Sequence, residues 1–176
     1  MNTRKMTNKN FNSNLRIKLL ISLSFLILSG CFSYSFKGSG LPGVETIHIE
    51  FFQDRTNEPE LGVDLSNSLI NKFQGDNTLK VVNEEDAQVK LAGVVSSISD
   101  APFTFDESEV VTSYKVTVNV EATLTDIFQE KVMWRQGFAE FGTYTAASGN
   151  SGRESAINEA ITKTTDLIFS QTFSGW

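Results

Sequence analysis

The sequence predicts an α+β fold in which two amphipathic helices pack on one face of a small mixed, largely antiparallel sheet of four to five strands. Apolar and polar residues alternate with period two over residues 110–125, which is typical of a strand with one buried face. Residues 60–74 and 152–171 instead repeat apolar residues at helical spacing. Two helices cover only one face of such a sheet, so the other face is left to solvent or to a partner.

The first predicted elements are a strand and a helix joined by a polar turn. The strand spans residues 46–52, and its apolar residues are predicted to face the core: Ile47, Ile49 and Phe51. The helix follows over residues 60–74, and Asn57 and Glu60 have the spacing of a capping pair. Its apolar stripe consists of Leu61, Leu65, Leu69, Ile70 and Phe73.

The middle of the chain holds the remaining strands, which are predicted over residues 79–82, 87–99, 110–124 and 131–142. A loop is expected over residues 100–108, and a turn over 126–130 joins the last two strands into an antiparallel hairpin. The last helix is predicted over 152–171, with an inner stripe of Ile157, Ala160, Ile161, Thr164, Leu167 and Ile168.

The N-terminal segment has the order of a lipoprotein signal. Five basic residues are followed by an apolar run of about ten residues, roughly half the length of a membrane-spanning helix. Leu28-Ser29-Gly30-Cys31 then forms a lipobox. We expect residues 1–30 to be removed by cleavage between Gly30 and Cys31, and Cys31 to carry covalent lipid, palmitate included. The alternative is an ordinary signal peptide, or an anchor helix, with a chance cysteine.

The remainder divides into a lipidated N-terminus and tether, residues 31–43, and a single domain, residues 44–176. Because five of the 15 Lys and Arg residues lie in 1–30, ten oppose all 21 Asp and Glu residues, a formal charge of −11. This acidity argues against nucleic acid as a partner and against adsorption to anionic lipid, so the membrane link is expected through the anchor. Cys31 is the only cysteine, so no disulfide is expected.

The sequence offers little catalytic or metal-binding chemistry. His48 is the only histidine, and a surface histidine is favoured over a metal pair with Glu50. The acidic run Glu84-Glu85-Asp86 matches no calcium loop and is interpreted as a solvated turn. No Gly-x-Ser-x-Gly elbow is present. We therefore expect no enzyme activity, no catalytic residue, no metal and no cofactor beyond the covalent lipid.

Two groups of residues are candidates for partner contacts. Arg55 lies in the turn after the first strand, where it could bind a phosphate or carboxylate of a partner, or pair locally with Asp54 or backbone carbonyls. Aromatic residues near loops and hairpin ends fit either partner contact or the core: Phe103, Phe105, Phe128 and Trp134.

Several segments resemble the LptE family of lipopolysaccharide-assembly lipoproteins, in the form found in Bacteroidetes-type bacteria. They are residues 31–38 (CFSYSFKG), 41–59 (LPGVETIHIEFFQDRTNEP), 131–134 (KVMW) and 173–176 (FSGW). The resemblance implies a lipid-anchored outer-membrane partner that plugs an LptD-type β-barrel translocon, assists its assembly and helps deliver lipopolysaccharide to the outer leaflet. It also implies two helices on one face of a small mixed sheet.

The resemblance further makes lipopolysaccharide itself a candidate ligand, because basic residues of the family are thought to contact it. The candidate contact residues here are Arg55, Lys90, Lys115, Lys131 and Arg135. Phe32, rather than Asp, follows the cysteine, and no acidic tract follows it, so the periplasmic leaflet of the outer membrane is the expected location. A periplasmic scaffold lipoprotein of another secretion pore, and a stand-alone lipid- or glycan-binding lipoprotein, are the alternatives.

Overall fold

The computed structural model describes residue 41 and residues 43–174 of the 176-residue chain. The predicted signal peptide, its cleavage site at Gly30, the lipidation site Cys31 and residues 32–40 and 42 of the predicted tether lie outside the described residues. The elements are β1 (Thr46–Ile49), β2 (Gln53–Asp54), α1 (Leu61–Asp76), β3 (Lys80–Val81), β4 (Val89–Phe105), β5 (Val111–Asp126), β6 (Lys131–Thr145) and α2 (Gly149–Ser174), with short 3-10 turns at Glu84–Asp86 and Ala146–Ser148.

The strands form one mixed sheet in the order β3-β1-β4-β5-β6, and β2 also pairs with β4. The short ladders of β1, β2 and β3 are parallel, whereas the long ladders that join β4, β5 and β6 are antiparallel. The predicted α+β class and mixed sheet are confirmed, and the described residues form two α-helices. The sheet has six strands instead of four to five, because the predicted first strand is divided into β1 and β2.

The interruption between β1 and β2 changes which phenylalanine enters the core. Ile49 pairs with Leu91 and Gln53 with Val94, so β1–β2 advances one residue more than β4 over this stretch. One extra residue reverses the alternation of side chains. Phe52 is therefore only 4% exposed and Phe51 is 59% exposed, and the predicted inward orientation of Phe51 is wrong.

Strand β4 extends to Phe105 through the segment that was predicted as a loop. Pro102 pairs with Tyr114 of β5, beyond the point where β2 ends opposite Val95. In this part β4 has only β5 beside it, so a residue without an N–H group is tolerated on its free side. Register shifts on both sides of Thr104 accommodate the irregular backbone. The long ladder of β4 and β5 therefore continues almost to the turn at residues 106–110.

Both helices pack on the same face of the sheet: α1 contacts β1 to β4, and α2 contacts β5 and β6. The predicted stripe of α1 is confirmed, since Leu61, Leu65, Leu69 and Phe73 are all buried. Between the helices, Phe73 makes an edge contact with Phe169, with ring centroids 5.0 Å apart. The apolar face of β5 completes the core with Val116, Val118, Val120, Ala122 and Leu124.

Helix ends and helix faces differ from the prediction at three points. The Asn57–Glu60 capping pair is absent; instead the Asp54 carboxylate accepts a hydrogen bond from the Gly62 N–H at 3.2 Å. Leu167, predicted on the inner stripe of α2, is exposed, while Thr165 is buried. Helix α2 begins at Gly149 instead of Gly152.

Candidate partner-binding surface

The described residues leave one face of the sheet without helices, and we call this the open face. It is formed by alternate residues of the three long strands, which pair across the ladders of β4, β5 and β6. Its central members are Ser97, Ser99, Thr117, Asn119, Glu121, Thr123, Arg135, Ala139 and Phe141. Four hydroxyl groups and the Asn119 amide make up the majority of these side chains, and Asn119 donates a hydrogen bond to the Ser97 hydroxyl at 3.0 Å. The surface is polar, and its neutral groups outnumber its charged ones.

The five candidate cations do not converge on one site. Lys90 and Arg135 lie on the open face near the β5–β6 turn, with Cα atoms about 12 Å apart by strand spacing and rise. Lys115 lies on the same face of β5. It is eight residues from Thr123, which pairs with Arg135, and this spacing places Lys115 about 27 Å from Thr123. Arg55 and Lys131 are exposed elsewhere and form no ion pair with the residues that the structure describes.

Two of these cations are already paired with carboxylates. The Lys90 Nζ lies 2.9 Å from Glu84 Oε1 and 3.8 Å from Glu50 Oε2. The hydrogen bond with Glu84 raises the pKa of Lys90 and lowers the pKa of Glu84. The Arg135 Nε lies 3.7 Å from Glu121 Oε1 and donates to the Thr123 hydroxyl at 3.1 Å. An anionic ligand would compete with these carboxylates.

Lys115 has a different environment. Its Nζ lies 5.7 Å from the ring centroid of Phe141, which the Phe103 ring approaches to 5.8 Å. Its ammonium group has no carboxylate within ion-pair distance among the described residues. Of the five candidates, Lys115 is therefore the one whose ammonium group lies near aromatic rings and away from the carboxylates of the described residues. Such a site suits a ligand that carries both a negative charge and an apolar part.

An ion-pair network around Asp100 of β4 was not predicted. The Arg153 guanidinium donates to both oxygens of Asp100 at 3.0–3.1 Å and to Glu58 Oε2 at 2.9 Å. The Tyr144 hydroxyl donates to Asp100 at 2.9 Å. The hydrogen bond to Asp100 raises the pKa of Arg153 above its ordinary value. The network joins α2, β4 and the loop before α1. It therefore holds the part of β4 around Asp100 in a fixed position relative to the helices.

The four aromatic candidates divide into two groups. Trp134 is buried and packs against Phe138, with ring centroids 6.3 Å apart. Phe103, Phe105 and Phe128 are exposed, the first two beside the 106–110 turn and Phe128 in the turn at the other end of β5. The exposed aromatic residues therefore mark the two ends of the long strands.

Residues with metal-binding or catalytic potential are dispersed. The His48 Nδ1 lies 3.1 Å from the Val82 carbonyl oxygen, so one ring nitrogen is engaged with backbone. Within residues 41 and 43–174, no group of three or more His, Cys, Asp and Glu side chains could hold a metal ion. The same residues include no helix that is both long and apolar enough to cross a membrane.

No sequence pattern indicated the Arg153 network, because Asp100 and Glu58 lie 53 and 95 positions away in the chain. The position of Lys115 on the long strand was predictable from alternation. Its contact with Phe141 depends on the β5–β6 register, in which Thr117 pairs with Phe141. That register is specified by the turn and the core together.

Comparison with protein families gives a match to the model described as LptE, Lipopolysaccharide-assembly, over residues 44–172. Comparison with curated proteins gives no match.

Solved structures share the fold at low sequence identity. Protein XCC0632 from Xanthomonas campestris is 13% identical, with a TM-score of 0.55 over 76% of this chain and 88% of that one. Rare lipoprotein B from Shewanella oneidensis is 14% identical, with a TM-score of 0.53 over 73% and 95%. A minor lipoprotein from Acinetobacter baumannii is 14% identical, with a TM-score of 0.52 over 75% and 94%. At these identities the likeness is one of fold alone.

Proposed function

Because the chain belongs to the LptE family of lipopolysaccharide-assembly proteins, we propose that it is a non-catalytic outer-membrane lipoprotein that plugs and supports an LptD-type β-barrel translocon. The family match over residues 44–172, which include all six strands, α1 and all but the last two residues of α2, is the observation that carries the proposal. The role is structural: the domain supports the barrel and assists its assembly during lipopolysaccharide transport.

The lipobox supports the membrane location. Cys31 would carry the covalent lipid, and several acyl chains hold a protein firmly because each buried methylene contributes about 0.8 kcal/mol. Residues 32–45 separate that lipid from β1, which begins at Thr46. The lipidated end would rest in the periplasmic leaflet, with the domain within the barrel.

The open face supports the contact with the barrel. Its hydroxyl and amide groups can form hydrogen bonds with the polar interior wall of a barrel, and few of its members carry charge. We assign this face, centred on Asn119 and Ala139, as the main surface that the barrel covers.

Direct contact with lipopolysaccharide is a narrower part of the proposal and falls on Lys115. Lipid A joins phosphate groups to acyl chains, and Lys115 with the adjacent rings of Phe103 and Phe141 offers a cation beside apolar surface. Lys90 and Arg135 are less suited, because each already lies within ion-pair distance of a carboxylate.

The test is a pull-down of the tagged, lipidated protein from its own outer membrane in mild detergent, with quantitative mass spectrometry. We expect an LptD-type barrel in near-equal amount. Ala139→Arg, on the open face, should reduce the recovered barrel. The matched control Asn158→Arg, on an exposed position of α2, should leave it unchanged.

Recovery of no barrel would overturn the proposal and favour a lipoprotein that binds lipid or glycan alone. Recovery of a different pore would favour a scaffold of another secretion system. Equal recovery with Ala139→Arg and Asn158→Arg would contradict the assignment of the open face while leaving the barrel as partner.

A further inference from the structure

The turn between β5 and β6 carries the most exposed large apolar side chain among the residues that the structure describes. Phe128 is 79% exposed, and Val132, four residues later at the start of β6, is 47% exposed. We call residues 126–132 the anchor-side turn. Single exposed apolar residues are ordinary on protein surfaces, so exposure alone does not identify a contact. What distinguishes this turn is its position next to the start of the domain.

The anchor-side turn is bonded to the segment through which the domain connects to the predicted lipid anchor. The Ile127 N–H donates to the Gln88 carbonyl oxygen at 3.0 Å. The Gln88 side chain in turn donates to the Gly43 carbonyl oxygen at 3.2 Å and accepts from the Glu45 N–H at 2.6 Å. Gln88 therefore holds the turn beside the point where the chain leaves the domain toward the lipid.

The length of the tether limits which end of the domain can face the membrane. The chain from Cys31 to Gly43 spans at most about 43 Å when it is fully extended. Strand β5 has 16 residues, so the anchor-side turn and the turn at residues 106–110 are about 50 Å apart. A domain that stood on its opposite end would need a longer tether than the chain provides. The anchor-side turn, in contrast, can reach the membrane at any extension of the tether.

The conformation of the anchor-side turn is fixed before any contact is made. The Asp126 carboxylate accepts a hydrogen bond from the Gln129 N–H at 2.9 Å. Glu130 adopts a left-handed backbone conformation, with φ of 50°, where the chain returns into β6. Phe128 therefore projects from a preorganised turn, which loses little conformational entropy when it binds.

The charge around the turn limits the kind of lipid. Asp126 and Glu130 are acidic, and Lys131 is the one basic residue of the anchor-side turn. The acidic segment Glu84–Asp86 lies close by, because it ends two residues before Gln88. Anionic headgroups would be repelled. A leaflet of zwitterionic phospholipid carries no net charge, so burial of the apolar side chains decides the contact there.

We infer that, before the protein enters the barrel, the anchor-side turn inserts Phe128 and Val132 into a zwitterionic phospholipid leaflet beside the lipid on Cys31. The tether keeps the turn at a high local concentration near the membrane, so a contact too weak to bind alone becomes populated. The acyl chains attach the protein, and the turn orients it with the long strands away from the membrane and the open face free. The inference rests on the lipid anchor of the proposed function and does not require the barrel.

The experiment uses the full, lipidated protein in phosphatidylcholine vesicles whose acyl chains carry a nitroxide near the headgroup. Cys31 is the only cysteine and its sulfur is bound to lipid, so Gln129→Cys provides a single thiol for a fluorophore beside the native Phe128. We expect the nitroxide to quench this fluorophore. The same fluorophore on Ser108→Cys, at an exposed position of the opposite turn, should keep its intensity.

Further substitutions in the labelled Gln129→Cys protein separate insertion of the turn from proximity to the membrane. Phe128→Ser with Val132→Ser should remove most of the quenching. Phe51→Ser is the matched control, since Phe51 is 59% exposed outside the turn, and it should leave the quenching unchanged. Added phosphatidylglycerol should reduce the quenching in the protein with the native turn. Thermal melting of each purified variant verifies that it folds.

Equal quenching at positions 129 and 108, or unchanged quenching after Phe128→Ser with Val132→Ser, would overturn the inference. Stronger quenching with phosphatidylglycerol would overturn the zwitterionic lipid as the partner. These results are independent of the pull-down, in which absence of the barrel would overturn the barrel function alone. Purified protein without acyl chains on Cys31 would overturn the lipid anchor, and the inference with it.

Discussion

At the scale of single residues, Phe52 decides how the first strand meets the core. Its N–H donates to the Ser66 hydroxyl at 2.8 Å, which ties the end of β1 to α1. Its ring occupies the space above Gly93, where a Cβ atom would overlap the ring and would lie 2.5 Å from the Glu121 carbonyl oxygen. Glycine is therefore required at position 93, because the Phe52 ring fills the space that a side chain there would need.

Replacement of Gly93 tests this packing. Gly93→Ala should lower the free energy of unfolding by about 1–3 kcal/mol, because the added methyl group overfills the core. Gly137→Ala on β6 is the control, since its Cβ would meet only the Val120 carbonyl oxygen, at 4.0 Å. It should be neutral or slightly stabilising. Urea unfolding followed by tryptophan fluorescence measures both, and equal midpoints would contradict the assigned role of Gly93.

Alternation alone could not distinguish Phe51 from Phe52. Both are apolar, and a regular strand over residues 46–52 places the first of them inward. The extra residue between Ile49 and Gln53 is visible only in the pairing with β4. Likewise, the buried position of Trp134 and the exposed position of Phe128 depend on where the β5–β6 turn ends relative to α2.

At the scale of elements, the long outer strand β6 is shielded by helix α2. The Lys163 Nζ donates to the Phe141 carbonyl oxygen at 2.8 Å, and the Glu159 carboxylate accepts from the Thr143 N–H at 3.4 Å. Lys163 and Glu159 also pair with each other at 2.7 Å. One helical turn thereby occupies outward-facing backbone groups of the edge strand, which would otherwise be open to another chain. Close approach is possible because Gly142 leaves room for the backbone of Ala156.

The edge contact predicts a dependence of stability on pH. The hydrogen bond from Lys163, with a further contribution from the Thr143 N–H, lowers the pKa of Glu159 below its ordinary 4.5. A carboxylate with a lowered pKa contributes stability above pH 4.5, and this contribution is lost as the pH falls through the pKa of the folded state.

Glu159→Gln should therefore cost about 0.3–0.5 kcal/mol at neutral pH, the range of a surface pair. The difference from wild type should shrink below pH 4.5. Urea midpoints between about pH 3 and pH 7 measure it, with Glu154→Gln, at an exposed position of the same helix, as control. A constant difference across that range would show that the Glu159 charge does not stabilise the edge.

The periodicity of the sequence predicted the strands and helices whose patterns are local. It did not predict strand ends and side-chain contacts that depend on how these elements pack together. The alternation of β5 and the stripe of α1 appear in the sequence because each buries one continuous face. The continuation of β4 to Phe105 was not predicted, because a proline usually indicates a loop. Pro102 fits a strand here because one edge of β4 is free at this point. The Arg153 contacts were not predicted because the residues lie far apart in the chain.

At the scale of the whole molecule, the fold divides into a buried side, on which both helices pack, and an open side. The charge balance was readable from composition, and the uncovered sheet face from the number of helices. The arrangement of side chains on the open face could not be predicted from the sequence. It depends on the strand register that brings Lys115, Phe141 and Phe103 together.

The membrane anchor is testable at a single position. Cys31→Ala should abolish incorporation of labelled palmitate and remove the mass of the acyl chains from the mature protein. Mass spectrometry of the purified protein measures this, and Ser33→Ala, beside the lipobox, is the control. An unchanged lipid mass in Cys31→Ala would contradict the lipoprotein signal assigned to residues 1–30.

A role in lipopolysaccharide assembly is tested most directly by measuring lipopolysaccharide at the cell surface after conditional depletion of the protein in its own bacterium. We expect surface lipopolysaccharide to fall as the protein is lost, the folded LptD-type barrel to fall with it, and the wild-type copy to restore both. Unchanged surface lipopolysaccharide and barrel after complete depletion would contradict a role in lipopolysaccharide assembly.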